Sequence, residues 1–530
     1  MDTILHRAKA LAILGTGSDV GKSLITAGLC RLFYRAGIEV APFKAQNMSL
    51  NSFVTSDGGE MGRAQVLQAQ ACGLAPHVIM NPILLKPETD CQSQVIVQGK
   101  VWEKQEAQEY FKNKAVLWDV VKASYEELAK RYEVIVIEGA GSAAEMNLRD
   151  RDIVNWPVAH MADAAVILVA DIDRGGVFAQ VIGTMDLLAP EERQRVIGVI
   201  INKFRGVLTL FDDGVKIIEE RTGVPVLGVL PHLRGLELDQ EDSVDIERFR
   251  MTPFGVETVN VAVVLLPHMS NFTDFNQLAA ESDVALRYVA SPQELHGADV
   301  MILPGSKTTI ADLGYLREAG FDEALASHVR SGGEVMGICG GFQMLGNHIS
   351  DPSHIETGGS SKGLGLLDVK TELVSSKKTV QVRARALLGA WDEDCLVEGY
   401  EIHMGVTVRS KGVLPCFEVI AHSETFPSPQ PSPQGAREFR SLDGAMSADG
   451  FVWGTYIHGV FDQPGFRRAW LNRARVRKHL QPLDVEVSRT VSARLSHALD
   501  RWADHVGTFI NMKAIFSVIR DNGSSIRQTP

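Results

Sequence analysis

The stretch LAILGTGSDVGKSLITAGL, residues 11–29, decides the reading of the first half of the chain. An apolar run with the look of a buried strand gives way to a glycine-rich turn, then to Lys22 and Ser23, then to a helical pattern. In such a turn the backbone N–H groups and the helix N-terminus behind them form a preset anion site. Lys22 can reach β- and γ-phosphates, and the Ser23 hydroxyl can ligate magnesium. The strict pattern asks for glycine at position 16. Here Thr16 stands between Gly15 and Gly17, and Gly21 precedes the lysine. These six residues are the expected phosphate cradle.

Working outward, short apolar runs alternate with amphipathic stretches from residue 10 to about 230: ALAILG, IEVAPF, EVIVIEG, AAVILVAD, VIGVIIN and VPVLGVLP. Runs without polar alternation predict strands buried on both faces, hence a parallel sheet covered by helices. An acidic stretch ending in Thr-Pro-Phe-Gly reads as a linker. A second series follows with VNVAVVLLP, ADVMILPGS, GGEVMGIC and GFVWGTYIHG. The expected architecture is α/β, two doubly wound domains. The first, P-loop-like, covers residues 1–233, and the linker 234–258. The second covers 259–470 and carries an exposed Pro/Ser/Gln-rich insert at 425–444. A helical segment at 471–505 and a partly disordered tail at 506–530 complete the chain.

The 530 residues are too many for one ordinary core, which agrees with two domains. A net charge of −12 argues against a general nucleic-acid or anionic-membrane binder. Six scattered cysteines without CxxC spacing form neither a disulfide framework nor a zinc knuckle, and fit a reducing compartment. The apolar runs fall far short of the roughly 18 residues a spanning helix needs. The opening MDTILHRAKALAILG lacks a small-residue cleavage site and runs into a strand, so a signal peptide is not expected. The cytoplasm is the expected location.

A magnesium–nucleotide site also needs carboxylates. Glu138 ends a buried strand just before glycines, which places it at the carboxyl edge of the sheet, where open α/β folds bind ligands. Asp57 in TSDGGEMGRAQ is a second candidate metal ligand, with Glu60 close behind. Asn202 ends another strand and can read a purine. A guanine reader would want an acid two residues after Lys203, where Arg205 stands, so ATP is the expected nucleotide.

The second constellation is EVMGICGGFQMLG, residues 334–346. Strand, Cys339 and helix, boxed in by Gly337, Gly340 and Gly341, form the thiol version of a nucleophile elbow. The turn places the sulfur over a helix N-terminus, whose field favours the thiolate. The N–H of Gly340, and a second donor at Gly305 in LPGSKTT, are the expected oxyanion site. His458 lies just past a strand in WGTYIHGVFD and is the expected base, with His403 in GYEIHMG as competitor. Cys339 and His458 then form a dyad that opens an amide or ester through a thioester. No acid to orient the imidazole follows closely: Gly459 and Val460 come next, and Asp462 is four residues on.

These residues carry a resemblance. The carboxyl half resembles a class I glutamine amidotransferase domain of the cobyric acid synthase type, in which cysteine and histidine release ammonia from glutamine. Ordinary members of that class carry His-x-Glu, and Val460 in place of Glu is usual for this subtype. The amino half resembles dethiobiotin synthetase in its glycine loop. FKAQNMSLNS, EMNLRDRDIVN and DIDRGGVFA narrow the likeness to the cobyric acid synthase family over roughly residues 10 to 470. The resemblance implies an ATP-dependent synthetase domain joined to a glutaminase. The implied reaction amidates the b, d, e and g carboxylates of adenosylcobyrinic acid a,c-diamide to give adenosylcobyric acid. It implies ATP, Mg2+ and L-glutamine, and no tightly bound prosthetic group. Lys44, Arg149, Arg151 and Arg174 become candidate contacts for the corrinoid polycarboxylic acid, unless each pairs with a neighbouring acid. Two other readings stand beside it. One is an amidotransferase like cobyrinic acid a,c-diamide synthase; the other is a partition-type ATPase, which leaves Cys339 and His458 without a role. The residues carry no sign of an oligomeric state.

Overall fold

The computed structural model describes residues 8–88, 92–106, 113–236, 238, 249–356, 358–387, 391, 395–422, 441–485 and 490–520. In the first half the apolar runs become β1 (Lys9–Gly15), β2 (Val40–Phe43), β3 (Val134–Glu138), β4 (Ala165–Asp171), β5 (Val196–Phe204) and β6 (Val226–Pro231), with α1 (Lys22–Arg35) after β1. They pair in the order β6-β5-β4-β1-β3-β2, and every pairing is parallel. Every residue of β3 and β4 is buried, as strands covered on both faces must be. Because the strands run one way, the loops after β1, β3, β4 and β5 all emerge at one edge.

Between β2 and β3 the chain builds a small accessory sheet from Gln46–Met48, Ile83–Pro87, Gln92–Val97 and Lys100–Glu106, and a two-stranded ribbon from Ser52–Val54 and Glu60–Gly62. This ribbon leans on the second half, where Val54 and Phe53 pack with Tyr400 and Ile402.

The second half contributes β7 (Val259–Val264), β8 (Val284–Val289), β9 (Val300–Leu303), β10 (Glu334–Ile338), α2 (Gly340–Leu345), β11 (Val369–Ala386), β12 (Leu396–Arg409), β13 (Val452–Thr455) and β14 (Ile457–His458). Its main sheet runs β8-β7-β9-β10-β13, parallel throughout, with Ala445–Met446 antiparallel at the edge. The long strands β11 and β12 form an antiparallel pair beside it, and β14 joins β12 so that His458 faces Tyr400.

Three expectations change at the carboxyl end. Helix α3 (Pro464–Arg477) belongs to the second core, but α4 (Val491–Phe509) and α5 (Met512–Arg520) return to the first. Arg31 bonds Asp500 at 2.8 Å, Trp502 Nε1 donates to the Leu24 carbonyl at 2.6 Å, and Gly228 pairs with Ile510. The segment expected as a separate helical piece and a tail therefore completes the nucleotide half. The apolar faces of α4 and α5 need a partner, and α1 and β6 supply it. Residues 521–530 lie outside the described residues. Likewise the expected insert lies mostly outside them, except that Ser441–Asp443 is a strand against Phe417–His422, with Asp443 buried rather than exposed. Among the described residues no helix is long and apolar enough to cross a membrane.

Candidate active sites

The loop between β1 and α1 is held from several sides. Thr16 N–H donates to the Val169 carbonyl at 2.9 Å. Lys22 Nζ donates to the carbonyls of Gly17 and Gly141, each at 2.9 Å. A Cβ at Gly15 would sit 2.9 Å from both the Gly17 carbonyl and Lys22 Nζ, so only glycine leaves the lysine its place. Asn202 Nδ2 donates to the Val20 carbonyl at 2.9 Å and packs where a side chain at Gly21 would go. The Asn202 amide thus braces the loop.

Glu138, at the end of β3, accepts from Ser23 Oγ at 2.7 Å, from Lys44 Nζ at 2.9 Å, and from Gln65 and Gln68. Burial works against its charge. Lys44, by charge and hydrogen bond, together with Gln68 and Ser23, nevertheless holds the carboxyl below the usual carboxylate range. Beside it Gln68 Oε1 is buried with no hydrogen-bond partner. A hydroxyl, a carboxylate and an orphaned oxygen at a phosphate cradle suit magnesium, a hard cation that prefers oxygen. Among the described residues no cluster of three or more His, Cys, Asp or Glu side chains could hold a metal by itself. Magnesium takes one or two carboxylates and completes its shell with phosphate and water.

At the other sheet Cys339 stands between β10 and α2 at φ 52° and ψ −107°, a backbone state that side chains rarely adopt. Its neighbours show what compels the turn. A Cβ on Gly341 would lie 2.1 Å from the Leu303 carbonyl oxygen, and one on Gly340 would lie 2.8 Å from Ser306 N. The turn presses against the end of β9 so closely that no side chain fits. The first N–H groups of α2 have no intrahelical acceptor.

His458, fully buried on β14, has Nδ1 2.7 Å from Asp274 Oδ2 and is stacked by Tyr400, centroid to centroid 5.3 Å. The Gly459 N–H donates to the other Asp274 oxygen at 3.0 Å. Burial disfavours the charged ring, but the Asp274 carboxylate, by charge and hydrogen bond, and the hydrogen-bonded Cys339 sulfur push the imidazole up to about 10. His403, the competitor, has Nδ1 2.9 Å from the Gly405 carbonyl and Nε2 3.0 Å from Glu401 Oε2. Both ring nitrogens are thus engaged by groups other than the Cys339 sulfur.

Two family profiles divide the chain along the same line. Residues 11–244 match the CobQ/CobB/MinD/ParA nucleotide binding domain, and residues 260–466 the CobB/CobQ-like glutamine amidotransferase domain. The cobyric acid synthase of Syntrophobacter fumaroxidans is 46% identical over 97% of this chain and 99% of its own length. Those of Salmonella dublin and Klebsiella pneumoniae are 47% and 48% identical over 97% of this chain and 99% and 98% of theirs. The chain belongs to the cobyric acid synthase family. It is a glutamine-hydrolysing amidotransferase built on a nucleotide-binding half.

Within this member of the cobyric acid synthase family the remaining expected residues scatter. Asp57 lies on a half-exposed turn, bonded by Thr55 Oγ1 and 4.0 Å from His77, while Ser23 and Glu138 bond each other elsewhere. Glu60 is buried between Lys86 at 2.7 Å and Lys377 at 2.6 Å, the latter from the second half. Among the candidate substrate cations, Lys44 pairs with Glu138, Arg149 with Glu192, and Arg174 with Asp19 at 3.2 Å. Arg151 is exposed. Gly305 sits where a Cβ would lie 3.2 Å from the His458 ring.

Sequence reasoning missed Asp274. It precedes His458 by 184 positions, so no local spacing could reveal it. A usable signal did exist: Asp274 follows the end of β7 by ten residues, and polar groups after a parallel strand collect at the carboxyl edge. Asn271 shares that signal. Its Nδ2 lies 3.4 Å from both ring nitrogens of His458, and its Oδ1 accepts the Ser52 N–H of the first half at 3.0 Å.

Proposed function

We propose that the chain amidates the b, d, e and g carboxylates of adenosylcobyrinic acid a,c-diamide, giving adenosylcobyric acid, with ATP as activator and glutamine as nitrogen source. One observation supports this reading above the others. A sulfur, an imidazole and a carboxylate stand in line at Cys339, His458 and Asp274, on a chain whose other half holds Lys22, Ser23 and Glu138 at a phosphate cradle.

In the second half the Cys339 sulfur attacks the γ-amide carbonyl of glutamine. His458 takes the thiol proton and hands it to the departing nitrogen, which leaves as ammonia. The N–H groups of Gly340 and Gly305 are the proposed donors to the oxyanion. Water, with His458 as base, then opens the thioester and releases glutamate. Asp274 is a positioning residue: its bond to Nδ1 fixes the tautomer and keeps Nε2 turned to sulfur.

In the first half a corrinoid carboxylate is a poor electrophile, because attack would expel oxide. Transfer of the γ-phosphoryl group of ATP makes that oxygen part of a phosphate, which leaves when ammonia attacks the carbonyl carbon. Lys22 moves from its carbonyl partners to the phosphates. Ser23 and Glu138 would hold magnesium, whose contribution is charge neutralisation on the phosphates. Thr16, Gly15, Gly17 and Gly21 shape the cradle, and Asn202 holds it closed from behind while facing the purine. Arg151 and Arg174, both exposed, are the cations proposed for corrinoid carboxylates, Arg174 exchanging its solvent-accessible partner Asp19 for the substrate. Lys44 and Arg149 serve Glu138 and Glu192 instead.

The test is nitrogen partition. Cys339→Ser should cut corrinoid amidation from glutamine by about 10⁴-fold or more while leaving amidation from an ammonium salt intact, read by mass spectrometry of the amides. Equal loss from both sources in a folded variant would overturn the division of labour.

A further inference from the structure

The pocket that contains Cys339, Gly340 and Gln343 is also lined by Lys86, Lys307 and Lys377 and by Glu356. Lys86 belongs to the accessory sheet of the first half, so the pocket wall is not made by the amidotransferase half alone. Lys307 is matched by Glu88 at 2.7 Å. The other two lysines are not matched one for one. Lys86 Nζ and Lys377 Nζ take opposite oxygens of the single Glu60 carboxylate, and the three side chains are 5%, 12% and 2% exposed. Two ammonium groups against one carboxylate leave one positive charge in excess at a buried site. Such a charge is costly unless an anion joins it.

Geometry gives that anion its place. An ammonium has three N–H bonds. Lys86 directs two to Glu60 Oε1 and to Ser52 Oγ at 3.0 Å, and Lys377 directs two to Glu60 Oε2 and to Gln94 Oε1 at 3.1 Å. One N–H on each lysine remains for a ligand. The register of β11 against β12 jumps between Leu373 and Lys378, so Lys377 sits in an irregularity that turns it across the interface. Burial, with repulsion from Lys86 and Lys307, brings the Lys377 ammonium down to about 8 despite Glu60, as expected for a cation short of negative partners. The same pocket holds Glu356, whose carboxyl is pushed up by burial and accepts the Ile310 N–H at 3.1 Å. A free α-amino acid carries one carboxylate and one ammonium, and this lining offers an excess of cation and a separate acid.

We propose that Lys86 and Lys377, braced by Glu60, bind the α-carboxylate of glutamine, with Glu356 facing its α-ammonium, so that the glutamine site is completed by the first half of the chain. This rests on Cys339 being the nucleophile that opens glutamine.

The experiment uses the full chain and compares ammonia release from glutamine with release from 4-aminobutanamide, which keeps the amide and amine but lacks the carboxylate. Amidation from an ammonium salt is followed in parallel. The unmodified enzyme should prefer glutamine by about 10²-fold or more in kcat/KM. Lys377→Met should raise the KM for glutamine at least about tenfold, leave kcat within about threefold, and erase most of that preference. Lys377→Arg should recover it in part, and amidation from ammonium should be unaffected in both. An unchanged glutamine KM and an unchanged preference in Lys377→Met would overturn the proposal. Should Lys377→Met also lose amidation from ammonium, the unmodified enzyme decides: equal kcat/KM for the two amides overturns the assignment, and the stated preference, with partial retention in Lys377→Arg, upholds it. Loss of glutamine hydrolysis is thereby separated from failure of the synthetase reading, which is tested by amidation from ammonium alone.

Discussion

At each of the two sheet edges a buried parallel strand ends in a glycine turn and a helix begins, yet the two turns are prepared for opposite tasks. The loop after β1 is filled with its own substitutes. Lys22 rests on two carbonyls, Ser23 on Glu138, and Glu138 on Lys44, so these three groups proposed for phosphate and metal already have partners to give up, and Gln68 Oε1 beside them has none among the described residues. The turn after β10 has nothing to exchange. Cys339 is held at a positive φ, and His458 is already fastened to Asp274 and to sulfur. A binding loop must stay soluble and intact between ligands, so its charges are lent to neighbours. A nucleophile must be aligned before substrate arrives, because alignment is most of what the turn contributes.

That contrast can be broken most directly at Lys22. If the first edge activates the acid and the second only supplies nitrogen, Lys22→Ala should lower amidation about 10³-fold from glutamine and from ammonium alike. Cys339→Ser, by contrast, spares the ammonium branch. A Lys22→Ala enzyme that still amidated from ammonium at the normal rate would erase the distinction between the edges.

Asp274→Asn sharpens it by a smaller step. The amide cannot hold the imidazolium, while Tyr400 still stacks on the ring. Glutamine hydrolysis should fall about 10²–10³-fold in kcat with KM nearly unchanged. The sign of the pH effect follows from His458. Its folded value of about 10 is raised above the ordinary histidine range of about 6.5. The stability it lends is therefore full below about pH 6.5 and is lost as pH rises towards 10. In Asp274→Asn the alkaline limb of the hydrolysis profile should move down towards neutrality, and the stability of the variant should vary less with pH across that window. A limb that stayed in place would remove Asp274 from the arrangement.

The same contrast explains what could be read from residues alone. A phosphate cradle is a local device: Gly15 to Ser23 are contiguous, and strand and helix flank them in the sequence as they do in space. The thiol turn is equally local. Everything that joins distant segments was silent. Asp274 reaches His458 from the other side of the parallel sheet, and Glu60, whose nearness to Asp57 suggested a metal role, is taken by Lys86 and Lys377 from two other sheets. Spacing cannot express such meetings, because parallel strands bring together loops that lie a hundred residues or more apart. Cations near the cradle were legible as cations, but Lys44, Arg149 and Arg174 turned out to pair with acids that composition does not single out.

The return of the carboxyl terminus to the first half sets the smallest prediction, and it concerns what ties the halves' outer layers down. Helix α4 is joined to α1 in two ways: an ionic one, Arg31 and Arg35 with Asp500, and an apolar one, Trp502 seated where a Cβ on Gly28 would lie 2.9 Å from its ring nitrogen. Asp500 is 41% exposed, so its bond to Arg31 is screened by water and salt. Trp502 is 4% exposed and loses both packing and its bond to the Leu24 carbonyl when truncated. Thermal or denaturant unfolding should therefore show about 3 kcal/mol lost in Trp502→Ala and less than about 1 kcal/mol in Asp500→Asn. High salt should erase the second difference and leave the first. Reversal of that order would mean that charge, not the apolar face of α4, holds the terminal helix on the nucleotide half. The nucleotide half would then owe its closure to the same kind of exchangeable polar contact that holds Lys22 and Ser23.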